Sequence, residues 1–163
     1  FAYLPVQDFG NAFSTFTAQN YGAGQSSRIK EALKKATILS AAFSSAAAAA
    51  VFIFAEPLMR IFVSASETEV IAAGVRYLHI EGVFYAGIGC LFLLYGFYRA
   101  VEKPGMSVVL TVISLGTRVL LAYLLAGIIG ETGIWISVPI GWLLADIAGY
   151  GYCILKRKRL FSD

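Results

Sequence analysis

Charge is scarce in this sequence of 163 residues: Asp, Glu, Lys and Arg together make up 14%, against the roughly one quarter that a soluble domain carries. An ordinary hydrated surface cannot be covered with so few. There are two cysteines, Cys90 and Cys153, with no CxxC spacing. They exclude a disulfide scaffold and read as small core residues. The single histidine, His79, excludes a histidine-based metal centre and an HExxH site. Four prolines and 16 glycines without a repeat exclude a collagen-like chain, and the scarcity of polar residues excludes disorder. Nucleotide-binding and nucleophile-elbow motifs are absent as well. The basic stretches hold no GxxxxGK[ST], Gly105-Met106-Ser107 lacks the closing glycine of an elbow, and Gly87-Ile88-Gly89 lacks a third glycine and a preceding strand. No enzyme chemistry and no cofactor is expected.

What fills the chain is apolar. Hydrophobic residues make up 58% and mean hydropathy is +0.73, which leaves an integral membrane protein or a piece of one. The chain opens on Phe1 inside an apolar stretch, without a basic leader, so it reads as the interior of a longer polypeptide rather than as a signal peptide. Five all-α spans are predicted, at about 1–21, 36–62, 70–98, 104–129 and 134–155. The first is incomplete, interrupted by Pro5 and closed by Gly22-Ala23-Gly24. The stretch 28–35 reads as a basic loop. The second span holds twenty uncharged residues from Ala36 to Ala55, centred on small side chains that permit close packing in lipid. Ser66 and Glu69 have capping-box spacing, which starts a third helix running unbroken from Glu67 to Tyr98, about 48 Å. Gly130-Glu131-Thr132-Gly133 is predicted as a tight turn between the last two spans.

The 13 cations are bunched, not diffuse, which argues for membrane topology over nucleic acid. Arg28, Lys30, Lys34 and Lys35, then Arg99 and Lys103, then Lys156 to Arg159 all fall on one side if the spans alternate. The opposite loops hold Arg60 and Arg76. The positive side is expected to be cytoplasmic, with the C-terminus there, in a plasma or inner membrane.

Charges inside spans are costly and mark candidate sites. Asp8 lies about 20 Å from the end of its helix. It is read either as a titratable or cation-attracting carboxylate lining a cavity, or as a packing acid bonded to a neighbouring hydroxyl or amide. Arg118 and Asp146, near the middles of the fourth and fifth spans, are expected to form an ion pair, either purely structural or tuning Asp146. Trp142, Asp146, Tyr150 and Cys153 share a face, so Trp142 and Tyr150 are candidate substrate-facing aromatics. A packing stripe is the plainer reading. Glu81, flanked by Tyr77 and Tyr85, is a candidate pathway residue or a solvated interfacial acid. Glu56 and Arg60 are an i, i+4 surface pair.

Several stretches together resemble one family. Gln19-Asn20-Tyr21-Gly22-Ala23-Gly24 with Arg28 resembles the loop after the eighth helix of the MATE transporters, the multidrug and toxic compound extrusion family. Tyr77-Leu78-x-Ile80 and the Arg99 to Pro104 connection resemble that family's tenth helix and following loop. Gly133-Ile134-Trp135 with Pro139-Ile140-Gly141-Trp142 resembles its last helix. The resemblance covers essentially the whole chain. It implies a twelve-helix, two-lobe secondary antiporter working by alternating access, with this chain running from helix eight to helix twelve. It also implies export of organic, often cationic, compounds against protons or sodium. The implied partners are the remaining N-terminal lobe of the same polypeptide, a small organic substrate and the lipid bilayer. The other readings are a lipid-linked oligosaccharide flippase of related architecture, which wants more intramembrane cations, and a non-transporting membrane subunit, which wants a charge-free interior.

Overall fold

The computed structural model describes residues 4–156 and Leu160, and these form helices without a strand. They are α1 (Leu4–Gly22), α2 (Ser26–Phe62), α3 (Thr68–Val83), α4 (Tyr85–Ala100), α5 (Pro104–Ile129) and α6 (Glu131–Leu155). The last basic cluster is described only at Lys156; its residues 157–159 lie outside the described set, as do residues 1–3 of the first predicted span.

The bundle is built around α4. Leu91, Leu93, Leu94, Phe97 and Tyr98 are buried there, and α1, α2 and α6 pack against it. These contacts are glycine-mediated. A methyl added at Gly10 on α1 would sit 2.8 Å from the Phe92 carbonyl oxygen, and one at Gly96 would sit 2.5 Å from that of Gly10. Gly89 faces the hydroxyls of Ser40 and Ser44, so the small residues of α2 that meet α4 are serines, while most of its central alanines point outward. In α6, Gly133, Ser137, Gly141, Ala145, Gly149 and Cys153 recur every four residues and are all buried. This stripe lets backbones approach closely in lipid, where apolar side chains gain nothing by leaving the hydrocarbon. The large apolar groups face outward instead: Val108, Val112, Leu115, Val119, Leu124 and Ile128 of α5 are exposed. Two polar ties cross the core. Tyr98 donates to the Gly149 carbonyl at 2.6 Å, and the hydroxyls of Thr37 and Tyr150 are 2.9 Å apart.

The structure matches the predicted bounds of 104–129 and the predicted ends at 62 and 155, and departs from the sequence reading at other boundaries for local reasons. Residues 28–35 are helix, not loop, because α2 begins at Ser26; Lys35 there pairs with Glu31 at 2.6 Å. The same helix leaves helical geometry at Phe54 (φ −103°, ψ 15°), three residues before Pro57. The proline ring displaces the preceding turn and supplies no N–H to it. His79 of α3 stacks on Phe52 at 4.0 Å between ring centroids and hydrogen-bonds its carbonyl at 3.2 Å. Pro5 does not interrupt α1. It lies in the first turn, where a missing N–H is harmless. The capping box at Ser66 is not formed: α3 starts at Thr68 after Glu67 with no side-chain cap, and the Ser66 hydroxyl meets that of Ser64 at 3.0 Å.

The predicted unbroken third helix is two. It breaks at Phe84 (φ −105°, ψ 12°), where the Phe84 N–H reaches back to Glu81, and α3 and α4 are bent by 53°. Gly82, Gly87 and Gly89 surround the break and weaken helix propagation across it. The turn between α5 and α6 is tighter than expected, a single Gly130 at φ 62°, a conformation glycine reaches without a side-chain clash. Among the described residues α2, α5 and α6 are long and apolar enough to cross a membrane, and the bent α3–α4 pair makes a fourth candidate. The first predicted span is not among them, because α1 carries Gln7, Asp8, Asn11, Gln19 and Asn20.

Candidate functional site

The break at Phe84 shapes a cleft of about 480 Å³ between α3–α4, α5 and α6. Tyr77 and Glu81 enter it from α3, one turn apart. Tyr85, Ile88 and Phe92 follow from α4, Arg118 comes from α5, and Ile134, Trp135, Val138 and Trp142 come from α6. The lining is aromatic with one carboxylate and one guanidinium. Tyr77 and Trp135 meet edge to face at 5.9 Å, closing one wall.

Glu81 is not the solvated interfacial acid of the sequence reading. It is 5% exposed, and its Oε1 is buried without a hydrogen-bond partner. Burying an unmatched carboxyl oxygen costs free energy that helix packing does not return. The charge that acts on it is Arg118.

The expected Arg118–Asp146 ion pair is not formed. The ion pairs among the described residues are Lys35–Glu31, Arg60–Glu56 and Arg76–Glu131, so the surface pair read at Glu56 and Arg60 is present at 2.7 Å. The register of α5 against α6 explains the difference. Gly133 meets Leu125, Gly141 meets Ser114 and the Arg118 stem, and Gly149 meets Leu110. Asp146 is five residues beyond Gly141, about 7.5 Å further along the axis and about 140° around it. Arg118 therefore turns to the cleft while Asp146 turns to α4, where its Oδ2 lies 3.7 Å from the place a methyl on Gly87 would occupy. Asp146 is 8% exposed, and its Oδ1 has no hydrogen-bond partner.

The four residues read as one stripe thus divide. Trp142 lines the cleft with Glu81 and Arg118. Tyr150 is tied to Thr37 of α2 and meets the Cys90 thiol, so it serves packing behind the cleft wall. Asp8 is exposed on α1 and is not among the residues that line this cleft. Ile88, Phe92, Trp135 and Val138 were not singled out from sequence. The signal was present: Trp135, Val138 and Trp142 stand at i, i+3 and i+7, as do Tyr85, Ile88 and Phe92.

A polytopic bundle with a broken helix bordering a charged, aromatic cleft is an arrangement that membrane transport proteins use. A family model described as MatE matches residues 1–124. The chain belongs to the MATE family. Among curated proteins it is 28% identical over 164 residues to the probable multidrug resistance protein YpnP of Bacillus subtilis, covering 98% of this chain and 36% of that one. It is 29% identical over 148 residues to a FAD transporter of Shewanella oneidensis, covering 90% and 32%. A solved inward-facing multidrug resistance MATE family transporter of the MOP superfamily superposes with a TM-score of 0.89 at 21% identity, over 98% of this chain and 37% of that one. The chain spans about a third of the length of these relatives.

Proposed function

We propose that the chain is the later part of the C-terminal lobe of a secondary antiporter that exports organic, often cationic, compounds in exchange for protons or sodium by alternating access. The observation that carries the reading is the buried, unpartnered Glu81 carboxyl in an aromatic cleft of a MATE family member. Aromatic faces and a carboxylate together attract a desolvated organic cation. A proton or sodium ion competing for the same carboxyl links its own movement to release of the compound. Arg118, across the cleft, disfavours simultaneous occupation by two cations. Asp146 is a second buried acid behind the wall, and Asp8 faces whatever covers α1. The N-terminal lobe of the same polypeptide supplies the opposing wall, and the basic ends of α2, α4 and α6 lie on the cytoplasmic side. No cofactor and no catalytic step enter this mechanism.

No observation of the cleft favours the oligosaccharide flippase. A second substrate class is favoured by a particular observation. No carboxylate lies within 4 Å of Arg118 among the described residues, and a relative is a FAD transporter. A flat aromatic anion is the alternative cargo.

The test is efflux from vesicles holding the full-length protein, with a fluorescent organic cation and FAD as separate cargoes, under imposed proton and sodium gradients. Efflux of the cation under one gradient, reduced about tenfold or more by Glu81→Gln, is expected. Movement of FAD alone selects the second reading. No efflux of either cargo under either gradient removes both.

A further inference from the structure

A second cleft, of about 360 Å³, lies between α1, α4 and α5 toward the basic end of the bundle. Its lining sets Gln7 and Asn11 from α1, Arg99 from α4 and Thr111 from α5 beside the apolar Phe92 and Val108. Arg99 donates to the Asn11 side chain at 3.2 Å and to its own helix at the Tyr95 carbonyl, and no carboxylate among the described residues pairs with it. The two clefts share one lining residue, Phe92.

Tyr85, Ile88, Phe92, Tyr95 and Arg99 stand at successive spacings of three, four, three and four, which is one straight face of a helix. That face runs for about 21 Å, most of the roughly 30 Å depth of a bilayer core. Its first three residues line the aromatic cleft and its last three line the second one. The arrangement is two clefts along one helix, both open at the surface of the described helices, with Phe92 lining each. Gly10 of α1 lies against the Phe92 backbone, where an added methyl would be 2.8 Å from its carbonyl oxygen, so α1 pins the main chain at this point. The Phe92 ring stands edge to face with Tyr95 at 6.4 Å. With the backbone held, the ring is the part that can clear the passage, by a rotamer change far faster than any helix motion.

We propose that this face of α4 is the track along which the transported compound passes between the two sides of the lobe, and that Phe92 is the constriction that sets which compounds pass by their width. The inference rests on the transporter reading for its cargo, a small amphipathic organic ion, but its geometry can be tested apart from transport.

The experiment uses the full-length protein with Cys90 and Cys153 replaced by Ala and one new cysteine at Thr111, in the second cleft. A water-soluble thiol reagent is applied from the side of the 130–133 turn. Phe92→Ala is expected to raise the labelling rate of Thr111→Cys about tenfold, and Phe92→Trp to keep it low. A cysteine at Ile88 in the aromatic cleft should label equally in all three. Phe92→Leu, which keeps most of the apolar volume, gives an intermediate rate and serves if the alanine variant does not fold. Equal labelling of Thr111→Cys with Phe, Ala and Trp at position 92 overturns the constriction. In efflux, the preference for tetramethylammonium over tetraphenylphosphonium should shrink with Phe92→Ala and grow with Phe92→Trp. If the wild type carries both and the ratio ignores position 92, Phe92 does not select by width and the proposal fails. If the wild type carries neither, it is the transported cargo that is wrong, while the labelling still decides the constriction.

Discussion

Replacing glycine by alanine should have opposite signs at two positions of α5 and α6, and the distances say which. A methyl at Gly141 would sit 2.5 Å from the Ser114 carbonyl oxygen and 2.7 Å from the Arg118 Cγ. The first is backbone and cannot swing aside, so α5 and α6 must separate by about an ångström to restore van der Waals contact near 3.5 Å. Overpacking of this kind costs about 1–3 kcal/mol. Gly116, on the same α5, has nothing within 4 Å of an added methyl. There alanine removes only the conformational cost of a mid-helix glycine and should stabilise by about 0.5–1 kcal/mol. The two substitutions should therefore differ by about 1.5–4 kcal/mol although the chemistry is identical. Reversible unfolding of the purified full-length protein in mixed micelles measures both, with Gly133→Ala, 2.6 Å from the Leu125 backbone, as a second destabilising case and Gly127→Ala as a second neutral or stabilising one. If Gly141→Ala and Gly116→Ala shift stability in the same direction, the α6 stripe is not a contact surface and the packing argument for the bundle is refuted.

A double-mutant cycle in the same assay should find Arg118→Gln and Asp146→Asn additive within about 0.5 kcal/mol, as expected for groups that do not touch. Arg118→Gln and Glu81→Gln should be coupled, by less than the roughly 4 kcal/mol that bounds charges held beyond 4 Å at an effective dielectric of 20; coupling confined to Asp146 would restore the ion pair. Tyr98→Phe deletes the hydroxyl bonded to Gly149 and keeps the ring, so a loss of about 0.6–1.7 kcal/mol is expected, and no change in unfolding would show that the contact contributes nothing. His79→Phe keeps the stacking on Phe52 but removes the bond to its carbonyl; it should cost about 1 kcal/mol, which a melt indistinguishable from the wild type would disprove.

The membrane bundle was legible because composition and periodic apolar runs report on solvent, and the bilayer is the solvent here. The family was legible from short glycine and proline punctuation such as Gln19-Asn20-Tyr21-Gly22-Ala23-Gly24. There Gly24 takes a positive φ of 66° and the Gln25 N–H closes back on Asn20, so the motif is local geometry written in sequence. Depth along the helix was misjudged where it depended on register between two helices. Arg118 and Asp146 lie near the middles of their spans, but helix–helix register is set by glycine contacts spread over more than four turns, which no single window shows. The break at Phe84 was missed for the opposite reason. Apolar periodicity continues through it, and only the sum of weak helix formers at 82, 87 and 89 marks it. Glu81 lies in the cleft beside that break, whereas Tyr150 is held outside it by its bond to Thr37.

The bend in α2 bears on how such a chain enters a membrane. Pro57 opens a turn of a helix whose outer surface, Phe52, Ile53 and Phe54 included, is exposed. In hydrocarbon an opened turn offers carbonyl oxygens to nothing. Pro57 has no N–H for the Ile53 carbonyl; His79 bonds the carbonyl next to it, that of Phe52, from the neighbouring helix, so the backbone at the bend gains this polar partner only when α3 arrives. The two segments are thereby favoured to partition out of the insertion machinery as a hairpin rather than one after the other. The one histidine of the chain would then matter during biogenesis before it matters in the finished protein.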